Sequence, residues 1–276
     1  MALIKFNFES EFLGGNTEIS VIMPDKPRTE KANDFYSSGA KYPVLWLLHG
    51  TFGDHTDWIR RSMIETHVRK KNIMVVCPSG LNANYANWPS FATGYNMYDY
   101  LLEELMPLIH NWFPASDKRE DNFIAGLSMG GMGVCTYAFN HPEKFGGAAC
   151  LSGYPTDIRE MYESNDPMWD RWGKTAINYE KLEDYLDGYE NTMKVLRENV
   201  ANKVDMPKLM FACGEKDFLY PKFKEFREEA ENELKIDAKW FVLSDYKHEW
   251  PFWDIAIVEA MKYFGLFDRD SYGNPF

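Results

Sequence analysis

The chain has 276 residues, 45% hydrophobic and 16% aromatic, enough for one large domain with a substantial core and too apolar for a disordered polypeptide. Its formal net charge of -12, with no long run of Lys or Arg, excludes a phosphate-tracking surface, so neither nucleic acid nor an anionic membrane is an expected partner. No window approaches the ~18 apolar residues of a membrane span, and the opening "MALIKFNFESEF" lacks the continuous apolar run of a signal peptide, which leads to the expectation of a cytoplasmic protein.

Residues 2–8 and 17–23 alternate apolar and polar side chains around "GGN", the pattern of an N-terminal antiparallel strand pair. The pattern then changes to short, nearly continuous apolar runs: "VLWLLHG" (44–50), "IMVVCP" (73–78), "NFIAG" (122–126), "GAACLSG" (147–153), "KLMFACG" (208–214) and "KWFVLS" (239–244). Runs of this kind are strands buried on both faces. Helical patterns lie between most of them, clearest at 98–112, where Tyr98, Leu101, Leu102, Leu105, Leu108, Ile109 and Trp112 fall on one stripe. Alternating strands and helices predict an α/β fold with a mostly parallel central sheet and helices on both faces. About fifty residues between "LSGY" and "KLMFACG" are too many for a structureless loop and read as a helical insertion at about 155–205, placed to cap a site at the carboxyl ends of the strands. With no dividing linker, the whole of 1–276 reads as a single domain. Cys77, Cys135, Cys150 and Cys213 form no CxxC pair and read as buried free thiols, with no metal site.

The segment "FIAGLSMGGMG" (123–133) places Gly-Leu-Ser-Met-Gly between a short strand, read at 121–125, and a helix, read at Met129–Asn140. In that setting the serine projects from a sharp bend with its Oγ exposed, and the glycines allow neighbouring backbones to come close. A serine hydroxyl needs a base within hydrogen-bond reach and an acid to orient that base. After a strand-to-helix serine the expected chain order is Ser, Asp or Glu, His. Among six histidines, His67, His110 and His141 sit on or beside helices, and His49 and His55 precede Ser128. Only His248, in "SDYKHEWPFWD", follows the last strand run. "FACGEKDFLYP" offers Glu215 and Asp217 as the acid; Asp217 is preferred because it stands clear of the strand-ending Gly214. Met129, at the start of a helix, supplies one backbone N–H for a tetrahedral oxyanion, and the loop after "VLWLLHG" supplies the other from Thr51 or Phe52.

These segments together carry a resemblance. Through "YPVLWLLHGTFGDHTDW", "VVCPSGLNANYANWP", "YDYLLEELMPLI", "FIAGLSMGGMG", "CGEKDFLY" and "KHEWPFWD", in that order and over nearly the whole chain, the sequence resembles the α/β-hydrolase superfamily. It is most similar to the esterase D-like group, which includes tributyrin-type carboxylesterases, acetyl and feruloyl esterases and S-formylglutathione hydrolases. Two departures stand out: Tyr246-Lys247 precedes His248 where the group often has Gly-x, and "PSG" at 78–80 replaces its common "PDG". The resemblance implies the triad Ser128, Asp217 and His248, with Thr51 and Met129 as oxyanion donors, and neither metal nor organic cofactor. The resulting expectation is a serine carboxylesterase for short-chain or aromatic acyl esters, including those of oligosaccharides, whose oligomeric state the sequence leaves open. A thioesterase, an acyltransferase and an inactive binding module are the alternatives. Trp58, Trp88, Phe91, Trp169 and Trp172 are candidates for substrate contact, and Met161 and Met168 would add to an apolar cap lining.

Overall fold

A computed structural model describes residues 2–69 and 71–267. Its strands are β1 (Ala2–Ser10), β2 (Gly15–Met23), β3 (Val44–Leu48), β4 (Met74–Cys77), β5 (Asn87–Trp88), β6 (Tyr95–Asn96), β7 (Asn122–Leu127), β8 (Gly147–Leu151), β9 (Lys208–Gly214) and β10 (Ala238–Leu243). Eight of them form one sheet in the order β1-β2-β4-β3-β7-β8-β9-β10, while β5 and β6 pair separately. β1 and β2 form the expected antiparallel pair, β2 meets β4 antiparallel, and the pairs from β4 through β10 are parallel. The strand read at 121–125 starts one residue later and runs two further, because Arg119–Asp121 closes a 3-10 turn.

Continuous apolar runs were expected to bury both sheet faces, and the packing shows how. In β3, Val44, Trp46 and Leu48 join one core with Ile124 of β7 and Phe211 of β9, under the helices Met129–Asn140 and Tyr220–Glu229. Leu45 and Leu47 join Phe123, Ala125, Leu151 and Met210 in a second core on the opposite face, under the helix Trp250–Tyr263. Successive side chains alternate between faces, so a strand covered on both sides is apolar at every position. The 98–112 stripe forms a helix that widens to i→i+5 bonding over Tyr100–Leu105 before returning to α geometry at Met106–Trp112. The wider turn changes the phase of the stripe. Leu101, Leu102, Leu105 and Ile109 are buried, while Trp112 is 71% exposed. Between β8 and β9 the chain forms helices at Ile158–Glu163, Trp169–Trp172, Leu182–Leu186 and Thr192–Ala201. No helix among the described residues is long and apolar enough to cross a membrane.

Backbones pack closely against one another where β7 ends. A Cβ on Gly126 would lie 2.4 Å from the carbonyl oxygen of Gly130, and one on Gly130 would lie 2.6 Å from the carbonyl oxygens of Leu48 and His49. Backbone cannot swing aside as a flexible side chain can. Gly126→Ala should therefore destabilise the fold by about 1–3 kcal/mol, the usual cost of overpacking. Gly15→Ala, where nothing lies within 4 Å of the added carbon, should stay within about 0.5 kcal/mol of the parent. Urea denaturation of the two variants beside the parent measures both.

Candidate active site

β7 gives way to the helix Met129–Asn140 through the single residue Ser128, held at φ 55° and ψ -119°. Few residues other than glycine adopt a positive φ. Here the contacts of Gly126 and Gly130 require a bend too abrupt for ordinary backbone, and the Ser128 amide, donating to the Leu151 carbonyl at 2.8 Å, pins it to β8. The Ser128 side chain makes no capping bond to its own helix and opens into a cleft of about 760 Å³.

His248 lines the same cleft, on the loop between β10 and the helix Trp250–Tyr263. Its Nδ1 donates to Asp217 Oδ2 at 2.8 Å. Asp217 follows the end of β9 in a turn closed by its own amide on the Gly214 carbonyl, and its Oδ1 accepts the Leu219 amide at 2.9 Å. Burial raises the pKa of Asp217, but the hydrogen bond and charge of His248, the Leu219 amide and the Ser152 hydroxyl together outweigh it and hold the carboxyl below its ordinary value. Glu215 is exposed and does not line the cleft, and its backbone amide donates to the Leu243 carbonyl. Of the two acids offered by the sequence, the fold brings Asp217 to the imidazole.

At the opposite side of Ser128, the loop after β3 is braced by His49. This residue is fully buried; its Nε2 accepts the Gly80 amide at 2.8 Å, so the proton sits on Nδ1 and is donated to the Gly50 carbonyl at 2.7 Å. Burial lowers its pKa, against the raising effects of the Gly50 carbonyl and of Asp57 and Asp54, and the ring stays neutral. The amide of Phe52 is taken by Asn82 Oδ1 at 2.8 Å and that of Gly53 by the Gly50 carbonyl, while the Thr51 amide has no acceptor among the described residues. The Met129 amide opens its helix, where helical bonding offers no acceptor. His55, His67, His110 and His141 are bonded to Ser20, Asp254, Asn122 and Tyr98 respectively, and none lines the cleft.

The tryptophans singled out from sequence do not line the cleft, and each has a packing reason. Trp58 is fully buried, with its indole N–H on the Leu48 carbonyl. Trp88 donates to the Ala83 carbonyl, and Phe91 packs edge-on to Tyr95 beside the β5–β6 pair. Trp169 lies between Tyr162 and Tyr185 inside the 155–205 segment, and Trp172 is buried beside Tyr185 and Thr175. Met161 lines a separate depression, and Met168 packs against the core. The aromatic lining comes instead from Phe52, Phe218, Trp250 and Trp253. Phe52 and Phe218 are 89% and 68% exposed, the latter ring 4.8 Å from the His248 ring. The missed signal was adjacency: each of these residues is within a few positions of a proposed site residue, Phe52 and Phe218 on the same loop and Trp250 and Trp253 on the helix that follows His248.

Comparison with known proteins places this geometry in context. The model of the family described as "Putative esterase" matches residues 10–264. The chain is 29% identical over 273 residues to the acetyl esterase of Caldicellulosiruptor saccharolyticus, covering 95% of this chain and 98% of that one. Among solved structures, an S-formylglutathione hydrolase of Staphylococcus aureus superposes with a TM-score of 0.77 at 28% identity, covering 95% of this chain and 98% of that one. Fluorophosphonate-binding serine hydrolase F of the same organism gives 0.78 at 30%, with the same coverage.

Ser152 was not singled out from sequence, yet it joins the buried carboxylate to the helix behind it. It stands at the end of β8 with φ 48°, accepts the Trp253 indole N–H at 2.9 Å, and is one of the groups that lower the pKa of Asp217. Removing the hydroxyl leaves the indole N–H without its acceptor and takes away one of the groups that hold the Asp217 carboxyl below its ordinary value. Ser152→Ala should lower turnover of an activated ester by about tenfold, the scale of one hydrogen bond to a charged group. Initial rates on a chromogenic acetate measure it, and unchanged turnover would relieve Ser152 of any part in holding Asp217.

Proposed function

Because the chain belongs to the esterase family and is a hydrolase of carboxylic esters, we propose that it works as a serine esterase with Ser128 as nucleophile, His248 as general base and Asp217 as the acid that orients it. The observation that carries this reading is the left-handed Ser128, opening into the cleft that His248 also lines while Asp217 holds the far side of the imidazole. Ser128 Oγ attacks the acyl carbon as His248 Nε2 takes its proton, and the carbonyl oxygen becomes an oxyanion received by the amides of Thr51 and Met129. Collapse breaks the bond to the alcohol oxygen, which leaves with the proton from His248. Water, deprotonated by His248, then attacks the acyl-enzyme and releases the acid and Ser128. Asp217 keeps Nδ1 protonated and stabilises the imidazolium. In this reading residues 1–276 are a single α/β-hydrolase domain and residues 155–205 are its cap.

The substrate class proposed is a short-chain or aromatic acyl ester, acetyl, butyryl or feruloyl, on a small alcohol or an oligosaccharide. The printed functions of the similar proteins, acetyl esterase and S-formylglutathione hydrolase, frame the choice. In favour of the thioester alternative are the two arginines that line the cleft, Arg171 and Arg61, although Arg61 is paired with Asp57 at 3.3 Å. Arg159 is occupied by Glu183 and Asp187, and Lys174 is exposed on the outside of the segment, so no wider basic patch supports a multiply charged substrate. Initial rates on p-nitrophenyl acetate, p-nitrophenyl butyrate, methyl ferulate, an acetylated xylo-oligosaccharide and S-formylglutathione should give a carboxylic ester the highest kcat/KM. A lead for the thioester overturns the preference.

The roles of the three residues are tested separately. Ser128→Ala should reduce turnover by several orders of magnitude without unfolding the protein, since a triad acts as a unit. Asp217→Asn should reduce it strongly through the wrong imidazole tautomer, while Glu215→Gln leaves it near the parent value. A carboxyl held below its ordinary pKa stays ionised above about pH 4, so the acid limb of the pH–rate profile should carry no ionisation from Asp217. Two ionisations on the acid limb, or the reverse ranking of the two acid variants, would remove Asp217 from the role.

A further inference from the structure

Arg171 is the one residue of the 155–205 segment whose side chain reaches the Ser128 cleft. Its neighbours in the segment show what an arginine of this acidic chain ordinarily does. Arg159 is held by Glu183 and Asp187, Arg197 by Asp157 and Glu229, and in both the acids raise the pKa. Arg171 has no such partner among the described residues. Its Nη2 donates to two neutral oxygens, Thr51 Oγ1 at 2.6 Å and Asn84 Oδ1 at 3.5 Å, and its guanidinium lies 5.8 Å from the Trp172 ring. The donors on Nε and Nη1 make no hydrogen bond to described protein groups. The carboxylates that share the cleft are engaged elsewhere: Asp57 with Arg61 at 3.3 Å, and Glu249 with the Lys247 amide at 3.0 Å.

A half-buried cation without a counter-ion is costly, and its position is fixed by Thr51, Asn84 and Trp172 rather than left to swing into water. A guanidinium with free, planar donors is matched by a carboxylate. Thr51, whose hydroxyl Arg171 holds, is also the residue whose amide is proposed to receive the carbonyl oxygen. The cation therefore stands beside the reacting carbonyl and not at the outer rim. We propose that Arg171 binds a carboxylate of the substrate itself, so that the preferred esters carry a carboxylate a few atoms from the scissile carbonyl, on the acyl chain or on the leaving group. This rests on the Ser128 reading and refines its substrate class.

Two matched pairs test it on the full-length protein. For the acyl side, the mono-4-methylumbelliferyl ester of glutarate is compared with the same compound methylated on its free carboxyl, following umbelliferone. For the leaving-group side, 4-acetoxybenzoate is compared with its methyl ester, following the released phenol. The expected result is a kcat/KM for the anionic member that exceeds its neutral partner by about tenfold or more in one pair, the scale of one charge-assisted contact. Which pair shows it identifies the side that carries the carboxylate. Arg171→Gln should collapse that ratio mainly through KM, Arg171→Lys should keep most of it, and about 0.5 M NaCl should reduce it. Ratios near one in both pairs overturn the proposal, as does an Arg171→Gln variant that slows both members of each pair equally, the signature of an arginine that only steadies the Thr51 loop. Failure of the underlying Ser128 reading is visible independently, as neutral-ester hydrolysis that survives Ser128→Ala.

Discussion

The close approach of three backbone segments at the end of β7 constrains everything around it. Gly126 faces the Gly130 carbonyl, and Gly130 in turn faces the carbonyls of Leu48 and His49 at the end of β3. Strand and helix can meet this closely only if the chain reverses within one residue, and that residue is Ser128, in a conformation that costs about 1–3 kcal/mol outside glycine. Three consequences come from the same bend. The hydroxyl stands at the carboxyl end of the sheet, the Met129 amide opens a helix without an internal acceptor, and the β3 loop bearing Thr51 is drawn alongside.

Sheet order supplies the remaining parts. β3 and β8 flank β7, so the loops that follow them, with Thr51 on one and Ser152 on the other, lie to either side of Ser128. β9 and β10 come next and deliver Asp217 and His248. Ser152 spans this arrangement, bonded to Trp253 on the helix Trp250–Tyr263 and helping to hold the Asp217 carboxyl below its ordinary pKa. His49 does comparable work on the other side: a neutral buried ring, accepting from Gly80 and donating to Gly50, clamps two loops whose amides would otherwise be free to move. Neither residue needs to touch substrate to matter for the geometry.

The 155–205 segment changes meaning once its packing is known. Ile158, Tyr185 and Leu186 form a small core of their own with Trp169, Ala176, Tyr179 and Leu182 around it. A segment of short helices must bury apolar surface to stay ordered, and this one uses its aromatics on itself and against the main body. It offers the cleft a guanidinium instead, in a chain whose formal charge is -12.

Much of the architecture was legible in the residues. The alternation of β1 and β2, the doubly buried runs of β3, β4 and β7 to β9, and the helix Met129–Asn140 follow from periodicity, which is a local property of the chain. β10, read the same way, is half-buried throughout because it lies at the sheet edge. The positions of Ser128, Asp217 and His248 could be read because each sits where a strand run stops, and strand ends in a parallel sheet face the same side. The cleft lining was not legible. An aromatic or an arginine packs inward or lines a site according to what stands opposite it, and that partner comes from a distant part of the chain. Trp58 and Trp172 turned inward against such partners, and Phe52, Phe218 and Trp253 faced the cleft. The sequence by itself determined the order of elements and the residues that close each strand. Only the tertiary structure decided which aromatics line the cleft and that Arg171, with no carboxylate partner among the described residues, stands beside Thr51.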